Sequence, residues 1–352
     1  MSAPFPGSAV EDVESCYASS RAMEPVRFTG RSRCPLCKSA EVSVWLRAPD
    51  RFHGRSTIYT LLRCRACELV WLPDAPSPAQ MSEHYTPDYN RAISKAGEGS
   101  PERWRARSRV LCAYKSGGAI LDLGCSSGAF LNTLSAKAWR LYGIEMSEDT
   151  AAKAKAQCKA QVFVGDILCA PFQCETFDAI TCFHVFEHLY EPWAVLRTVM
   201  NWLKPGGIFY AVMPNIDSVG ARLFRSYWYA LELPRHLYHF SPVSLRCLAE
   251  RCGLQIVSLR THREMYFEQS LRYVIDEFCR KLACYRTPLA SAGPPTLSWR
   301  VVRKAFRLTA LQAISTMATC FGDGERLEVV FQKPSLSSIP YARMPVPSEF
   351  LP

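Results

Sequence analysis

The sequence predicts a doubly wound α/β fold with a mostly parallel seven-stranded sheet, a small cysteine-rich module in front of it and a helical insertion before the last strand. Three observations carry that expectation. AILDLGCSSGAF at 119–130 is an apolar strand running into a glycine turn, and the next strand ends on Glu145. From about residue 101 strand and helix patterns alternate, as they do in a parallel sheet covered on both faces. CPLC at 34–37 and CRAC at 64–67 are two CxxC pairs with 26 residues between them. At 352 residues, 48% of them hydrophobic, the chain has room for one full α/β domain and a smaller unit.

Residues 1–28 mix Pro, Glu and Asp, with neither a basic start nor an apolar core, and read as a flexible N-terminus rather than a signal peptide. No apolar run approaches the roughly 18 residues that suggest a membrane span, so a cytoplasmic protein is expected. Residues 29–75 read as a zinc ribbon. Each knuckle sets two thiolates on one tight turn, and Cys34, Cys37, Cys64 and Cys67 together supply the four sulfur ligands that tetrahedral Zn²⁺ accepts. A four-sulfur site leaves no open position, which makes the zinc structural, although the same ligands suit iron. VSVWLRAP and STIYTLLRC, between the knuckles, have the composition of short strands. The remaining cysteines of the sixteen, Cys125, Cys182, Cys247 and Cys279 among them, are scattered and behave as small hydrophobes. Residues 76–100 are Pro-rich and read as a linker with a short helix.

The main domain spans 101–333. PERWRARSRV at 101–110 predicts a helix with an exposed basic face. AILDLGC is the first strand, and GAFLNTLSAKA after it predicts a helix. LYGIE is the second strand, followed by SEDTAAKAKAQC with Ser147 as N-cap. QVFVGD, ending at Asp166, is the third, and TFDAITCFHV the fourth, with a helix from about 192 to 203. KPGG at 204–207 reads as the turn into the fifth, IFYAVMP. Ser241 with Pro242 starts an amphipathic helix. LQIVSLRTH and RLEVVFQK complete the sheet, and 334–352 form a C-terminal tail.

This arrangement builds a nucleoside pocket: glycines let backbone approach the ligand, and an acid ending the neighbouring strand accepts hydrogen bonds from ribose hydroxyls. Three glycines in the GxGxxG spacing are absent, which argues against a nicotinamide enzyme. Ser126 stands in the middle of the turn and is expected to fit with a negative φ.

With these motifs, residues 101–333 resemble the class I S-adenosylmethionine-dependent methyltransferases, which are Rossmann-like. By position, Asp122, Gly124, Cys125 and Gly128 match the glycine-loop motif, Glu145 the ribose-binding acid, and Asp166 with Ile167 the adenine contact. Phe183 and His184 match the residues flanking the methionine part. HVFEHL, LKPGG and MPN resemble a subgroup acting on small molecules. In relatives that methylate phenols of quinone precursors, two acids and a histidine hereabouts bind a divalent metal; here His184 takes the place of the first acid. A four-cysteine module ahead of this domain resembles bacterial proteins of sugar, cell-surface polysaccharide or secondary-metabolite pathways. The resemblance implies methyl transfer from S-adenosylmethionine to an O, N or C atom of a small-molecule or saccharide acceptor, anionic or carrier-bound among the options. The alternative is a non-catalytic S-adenosylmethionine-binding scaffold whose ribbon recognises a protein or carrier.

In-line transfer of a methyl group needs alignment and, at a hydroxyl, a base. Glu187 and His188 in FHVFEHLYEP are candidates, their plainer role being to start a helix. His236 and His239 in LELPRHLYHF are candidate bases, their plainer role being to satisfy backbone groups, and Arg235 is a candidate anchor for an anionic acceptor. The insertion at 265–320 carries amphipathic helical patterns with several Lys and Arg. They suit packing on the domain, a homodimer contact, a lid over the acceptor, or peripheral contact with a membrane. The net charge of +10 is compatible with an anionic partner and chooses none; nucleic acid is not expected.

Overall fold

A computed structural model describes residues 33–89, 91, 101–285 and 323–335. The N-terminus to 32, the second helical pattern of the insertion and nearly all of the tail lie outside the described residues.

The first sheet belongs to the cysteine module. β1 (Val42–Pro49) pairs antiparallel with β2 (Ile58–Cys64), and β2 with β3 (Val70–Trp71). Its fourth strand comes from far along the chain: β9 (Tyr238–His239) pairs with β3, matching Val70 to His239 and Trp71 to Tyr238. The two knuckles are copies of one turn. Lys38 and Glu68, one past each CxxC, are left-handed at φ +61° and +63°, and donate their N–H to the carbonyls of Cys34 and Cys64.

The second sheet has seven strands in the order β10, β11, β8, β7, β4, β5, β6. These are β4 (Gly118–Leu123), β5 (Trp139–Glu145), β6 (Gln161–Val164), β7 (Phe177–Phe183), β8 (Leu203–Pro214), β10 (Gln255–His262) and β11 (Arg326–Gln332). The strands from β8 to β6 run parallel, while β11 is antiparallel to both of its neighbours. This is the doubly wound, mostly parallel sheet expected. The chain leaves β4 first towards β5 and then crosses to β7, so the carboxyl end of β4 is the switch point where such sheets bind ligands.

Short helices cover the sheet: α1 (Pro78–Met81), α2 (Pro101–Tyr114), α3 (Glu148–Cys158), α4 (Pro192–Trp202), α5 (Val219–Phe224), α6 (Pro242–Cys252) and α7 (Tyr266–Tyr285). Local chemistry sets their starts. Ser147 caps α3, accepting the Thr150 N–H, and Ser241 with Ser244 forms a reciprocal box ahead of Pro242. α4 buries Val195, Leu196, Val199 and Trp202 at helical spacing against the sheet. Fully burying a Leu or Val of this kind contributes about 1.5–3 kcal/mol.

Three expectations are corrected. GAFLNTLSAKA forms no α-helix, only a single 3-10 turn at Leu131–Thr133, because the Thr133 hydroxyl takes the Phe130 carbonyl and the chain must turn back through Ser135 to reach β5. KPGG is part of β8 and not a turn before it, since Gly206 and Gly207 exchange backbone hydrogen bonds with Lys333. The helix over 101–110 does form, but its basic face is not all exposed, as Arg107 is only 2% accessible.

The cysteine module is not packed apart from the larger sheet. Cys34, Leu36, Leu62, Leu69 and Trp71 share one apolar core with Phe186, Phe240, Leu245 and Leu248. Ala48, Leu61 and Val70 share another with Trp228, Leu231 and Leu237.

Candidate functional site

Four cysteine side chains meet at the tip of the first sheet. Sγ of Cys34 lies 3.5 Å from Sγ of Cys67, and Sγ of Cys37 3.4 Å from Sγ of Cys64. These separations are far from a disulfide and near the roughly 3.8 Å edge of a sulfur tetrahedron built on Zn–S bonds of about 2.3 Å. The Cys37 N–H points at Sγ of Cys34, and the hydrogen bond from Cys67 stabilises the Cys34 thiolate, pulling its pKa down to about 5. The donor set fits a tetrahedral metal.

A cleft of about 370 Å³ opens at the carboxyl end of β4. Its floor is the glycine turn. Gly124 has φ +66°, and a Cβ there would stand 2.5 Å from Val185; Gly128 has φ +79°, and a Cβ would stand 2.6 Å from Sγ of Cys158. Both positions need glycine for conformation and for space. Ser126 between them has φ +49°, which corrects the expected negative value. A left-handed serine costs about 1–2 kcal/mol. It is held because its N–H donates to Oε2 of Glu145 at 2.9 Å. The other Glu145 oxygen accepts the Ser147 N–H at 3.0 Å, so the acid ending β5 is fixed against the turn.

Asp122 ends β4 beneath the cleft. Burial pushes its pKa up to about 7, with the Thr181 hydroxyl, 2.6 Å away, and Arg107 opposing the rise. Arg107 faces the same cleft from α2. Its guanidinium lies over the rings of Trp104 and Phe183, at 4.8 and 4.5 Å, and its Nε and Nη2 have no hydrogen-bond partner among the described residues. Burial lowers its pKa to about 10, well above neutrality, so an unpaired buried cation points into the cavity. Sequence reasoning passed over Arg107 because four arginines alternate through 103–109 and their pattern reads as a solvated face.

Of the residues expected at a bound nucleoside, Asp122, Gly124, Cys125, Phe183 and His184 line the cleft. Gly128 supports the turn from behind. Glu145 at the end of β5 and Asp166 and Ile167 at the carboxyl end of β6 lie outside the cleft lining, with Asp166 capping a 3-10 turn by accepting the Leu168 N–H at 2.7 Å.

The other end of the cleft is built by the segment after β8 and by the start of α7. Tyr229, Glu232 and His236 line it, with Tyr266 and Gln269 from α7 and Tyr89 from the stretch expected to be a linker. Tyr229 and Tyr266 stack at 5.9 Å between ring centroids. His188 and His236 meet edge to face at 4.5 Å. Nδ1 of His188 lies 3.0 Å from the Arg235 carbonyl, and Nδ1 of His236 lies 2.9 Å from the Ala230 carbonyl. These contacts make each Nδ1 the protonated nitrogen and put the lone pair on Nε2, which in His236 lies 3.8 Å from Oε2 of Glu232. Burial drives both imidazoles towards neutrality, His188 to a pKa of about 3 and His236 well below the ordinary value.

Glu187 lies directly behind them. It is 1% accessible, neither carboxyl oxygen has a hydrogen-bond partner, and burial raises its pKa to about 8. One ligand atom each from Glu187, His188 and His236 lie within 4.8 Å of one another, and Nδ1 of His184 is 3.4 Å from Oε1 of Glu187.

Two expected site residues fall elsewhere. His239 does not line the cleft; its Nε2 contacts the Leu231 carbonyl at 3.2 Å inside the core, the backbone role named as its alternative. Arg235 does not reach the cleft either. It is fully buried between the rings of Tyr89 and Phe52, 3.6 Å from Asp50 and 3.7 Å from Glu232.

Residues 98–259 match the family model described as a methyltransferase domain. The ubiquinone biosynthesis O-methyltransferase of Xanthomonas axonopodis pv. citri is 25% identical over 154 residues, covering 40% of this chain and 64% of that protein. The protein of the same name from Pseudomonas putida is 26% identical over 157 residues, 41% of this chain and 67% of that one. The chain thus spans about two thirds of the length of these relatives. A solved SAM dependent methyltransferase from Archaeoglobus fulgidus aligns over 70% of this chain and 100% of its own, at 20% identity and a TM-score of 0.46. Among the described residues, no helix is long and apolar enough to cross a membrane.

Proposed function

We propose that this chain, whose residues 98–259 match a methyltransferase domain, moves a methyl group from S-adenosylmethionine to a hydroxyl oxygen of a small-molecule acceptor, phenolic or saccharide. The observation that carries this reading is the pair of neutral histidines, His188 and His236, which line the same cleft as the glycine turn.

The residues fit the donor. The Gly124 and Gly128 cradle would be filled by any Cβ, Glu145 is fixed to receive ribose hydroxyls, and Arg107 offers an unpaired guanidinium to the methionine carboxylate. The donor supplies an electrophilic sulfonium methyl. Trp104, Phe130 and Phe183, packed edge to face or tilted, keep water from that end.

At the acceptor end, Tyr229 stacks with both Tyr266 and Tyr273, a packed aromatic wall beside which the acceptor would lie. Nε2 of His188 or His236 takes the hydroxyl proton. The imidazole keeps the proton it takes, and Glu187 beside it stabilises that charge in the molecules whose carboxyl is already ionised. The same three side chains have the composition of a divalent-metal site, and an ion held by Glu187, His188 and His236 would polarise the hydroxyl instead. The four cysteines would hold a structural zinc.

The reading is tested by incubating the protein with S-adenosylmethionine and a panel of catechols, simple phenols and nucleotide sugars, with and without magnesium or chelator. The expected result is mass-detected O-methylation within one class. Transfer only to amines or carbon would overturn the hydroxyl assignment.

A further inference from the structure

Asp50, one residue past β1, is completely buried, yet it touches nothing in the donor half of the cleft. Its Oδ2 lies 2.8 Å from Nδ1 of His53, 3.2 Å from Nδ1 of His84 and 3.6 Å from Nη1 of Arg235, while Oδ1 accepts the His53 N–H. His53 is tied on to the Thr86 hydroxyl at 3.1 Å. Asp50, His53 and His84 have metal-ligand composition, but the guanidiniums of Arg235 and Arg55 already face the cluster, and a third cation there would be repelled. The cluster is a counter-ion for Arg235.

Arg235 is the centre of the segment that builds the acceptor end. Its carbonyl fixes Nδ1 of His188, and Glu232 three residues before it accepts the Tyr89 hydroxyl at 2.9 Å. His236 follows directly, and the next N–H, of Leu237, donates to the Glu187 carbonyl. The Leu237 carbonyl then accepts the Leu72 N–H, and Tyr238–His239 completes the cysteine module's sheet. On the module side this segment is held through β3, through Asp50, and through the contacts of Arg235 Nη1 with His53 Nδ1 at 3.3 Å and the His84 carbonyl at 3.4 Å. Among the described residues no hydrogen bond runs from the module to the glycine turn: Ser126 is held by Glu145, and Gly124 abuts Val185.

We propose that Asp50 is a positioning residue for acceptor chemistry: through Arg235 it orders residues 229–239 and holds His188 as its Nδ1–H tautomer, while leaving the donor half untouched. Without Asp50, Arg235 would keep only Glu232, at 3.7 Å, as a charged partner beside the two aromatic rings, and the segment would shift to solvate the buried cation. The catalytic meaning rests on the proposed role of His188 and His236, but the structural claim does not.

The test compares wild type with Asp50→Ala and the isosteric Asp50→Asn, which retains volume and hydrogen bonding should the alanine variant fail to fold. Three quantities are read: amide hydrogen exchange by mass spectrometry, ¹⁵N spectra of the histidine rings, and calorimetric affinity for S-adenosylhomocysteine. We expect exchange across 229–239 to rise at least tenfold, that across 118–123 to stay unchanged, the His188 Nδ1–H signature to be lost, and affinity to remain within threefold. Unchanged exchange and tautomer in both variants would overturn the proposal, as would loosening of 118–123 to the same degree as 229–239. None of these readouts uses an acceptor, so they stand apart from the hydroxyl assignment.

Discussion

The N–H of Ser126 donates to Oε2 of Glu145 at 2.9 Å, making the turn after β4 and the acid ending β5 a single unit. The turn's shape and the presentation of the acid therefore depend on each other. Because Ser126 is held at φ +49°, Ser126→Gly removes a left-handed cost of about 1–2 kcal/mol and adds about 0.4–1 kcal/mol of chain entropy to the unfolded state. The variant should be more stable by about 0.5–1 kcal/mol in denaturant titration, with affinity for S-adenosylhomocysteine unchanged. A loss of stability would show that the serine hydroxyl does something the glycine cannot.

Arg107→Met should separate the two ends of the donor. An unpaired buried guanidinium meeting a carboxylate is worth about 1.5–3 kcal/mol, or about 10- to 150-fold in Kd. S-adenosylhomocysteine should lose that much, whereas methylthioadenosine, which lacks the carboxylate, should bind wild type and variant alike. Equal losses for both compounds would mean that Arg107 only supports the fold.

His188→Gln and His236→Gln address the acceptor end. If one imidazole is the base, its variant should lose about 10²- to 10⁴-fold in turnover at unchanged donor affinity. His239→Gln should lower thermal stability and leave turnover of the folded fraction alone.

Glu187 gives a pH signature. Its folded pKa of about 8 lies above the unfolded value of about 4.3. Between these values the folded state keeps a proton that the unfolded state has lost, so this residue's contribution to stability falls as pH rises through the window. His188, with its pKa lowered to about 3, acts the other way below about 6.5 and does so in both proteins. Glu187→Gln should therefore gain stability relative to wild type steadily from pH 5 to 8. A constant difference would mean that the carboxyl is ionised throughout.

Much of this was legible in the sequence because it is local. Alternation, apolar runs and glycine turns located all seven strands of the large sheet, and the CxxC spacing brought the four thiols together. What was missed depends on distance or context. β3 and β9 have two residues each, too short for any period, and they join positions far apart in the chain. Arg107 could not be told from Arg103, Arg105 and Arg109 until α2 was placed against Phe183. His236 and His239 look alike in LPRHLYHF, and only the pairing of β9 with β3 turns one into the core while its neighbour faces the cleft.

Metal analysis should find one zinc per chain. Its removal by chelator under mild denaturant should lower the melting temperature and expose the Cys34, Cys37, Cys64 and Cys67 thiols to a thiol reagent. Iron in its place would show as charge-transfer absorbance in the visible range.

S-adenosylmethionine binding at the carboxyl end of β4 is proposed to rest on Glu145, which the Ser126 N–H holds in place beside the cleft. Calorimetric titration of S-adenosylhomocysteine into wild type and Glu145→Ala tests it most directly. The account predicts one site per chain in wild type and binding at least tenfold weaker in the variant. Absence of binding to wild type, or identical affinities in the two proteins, would contradict it.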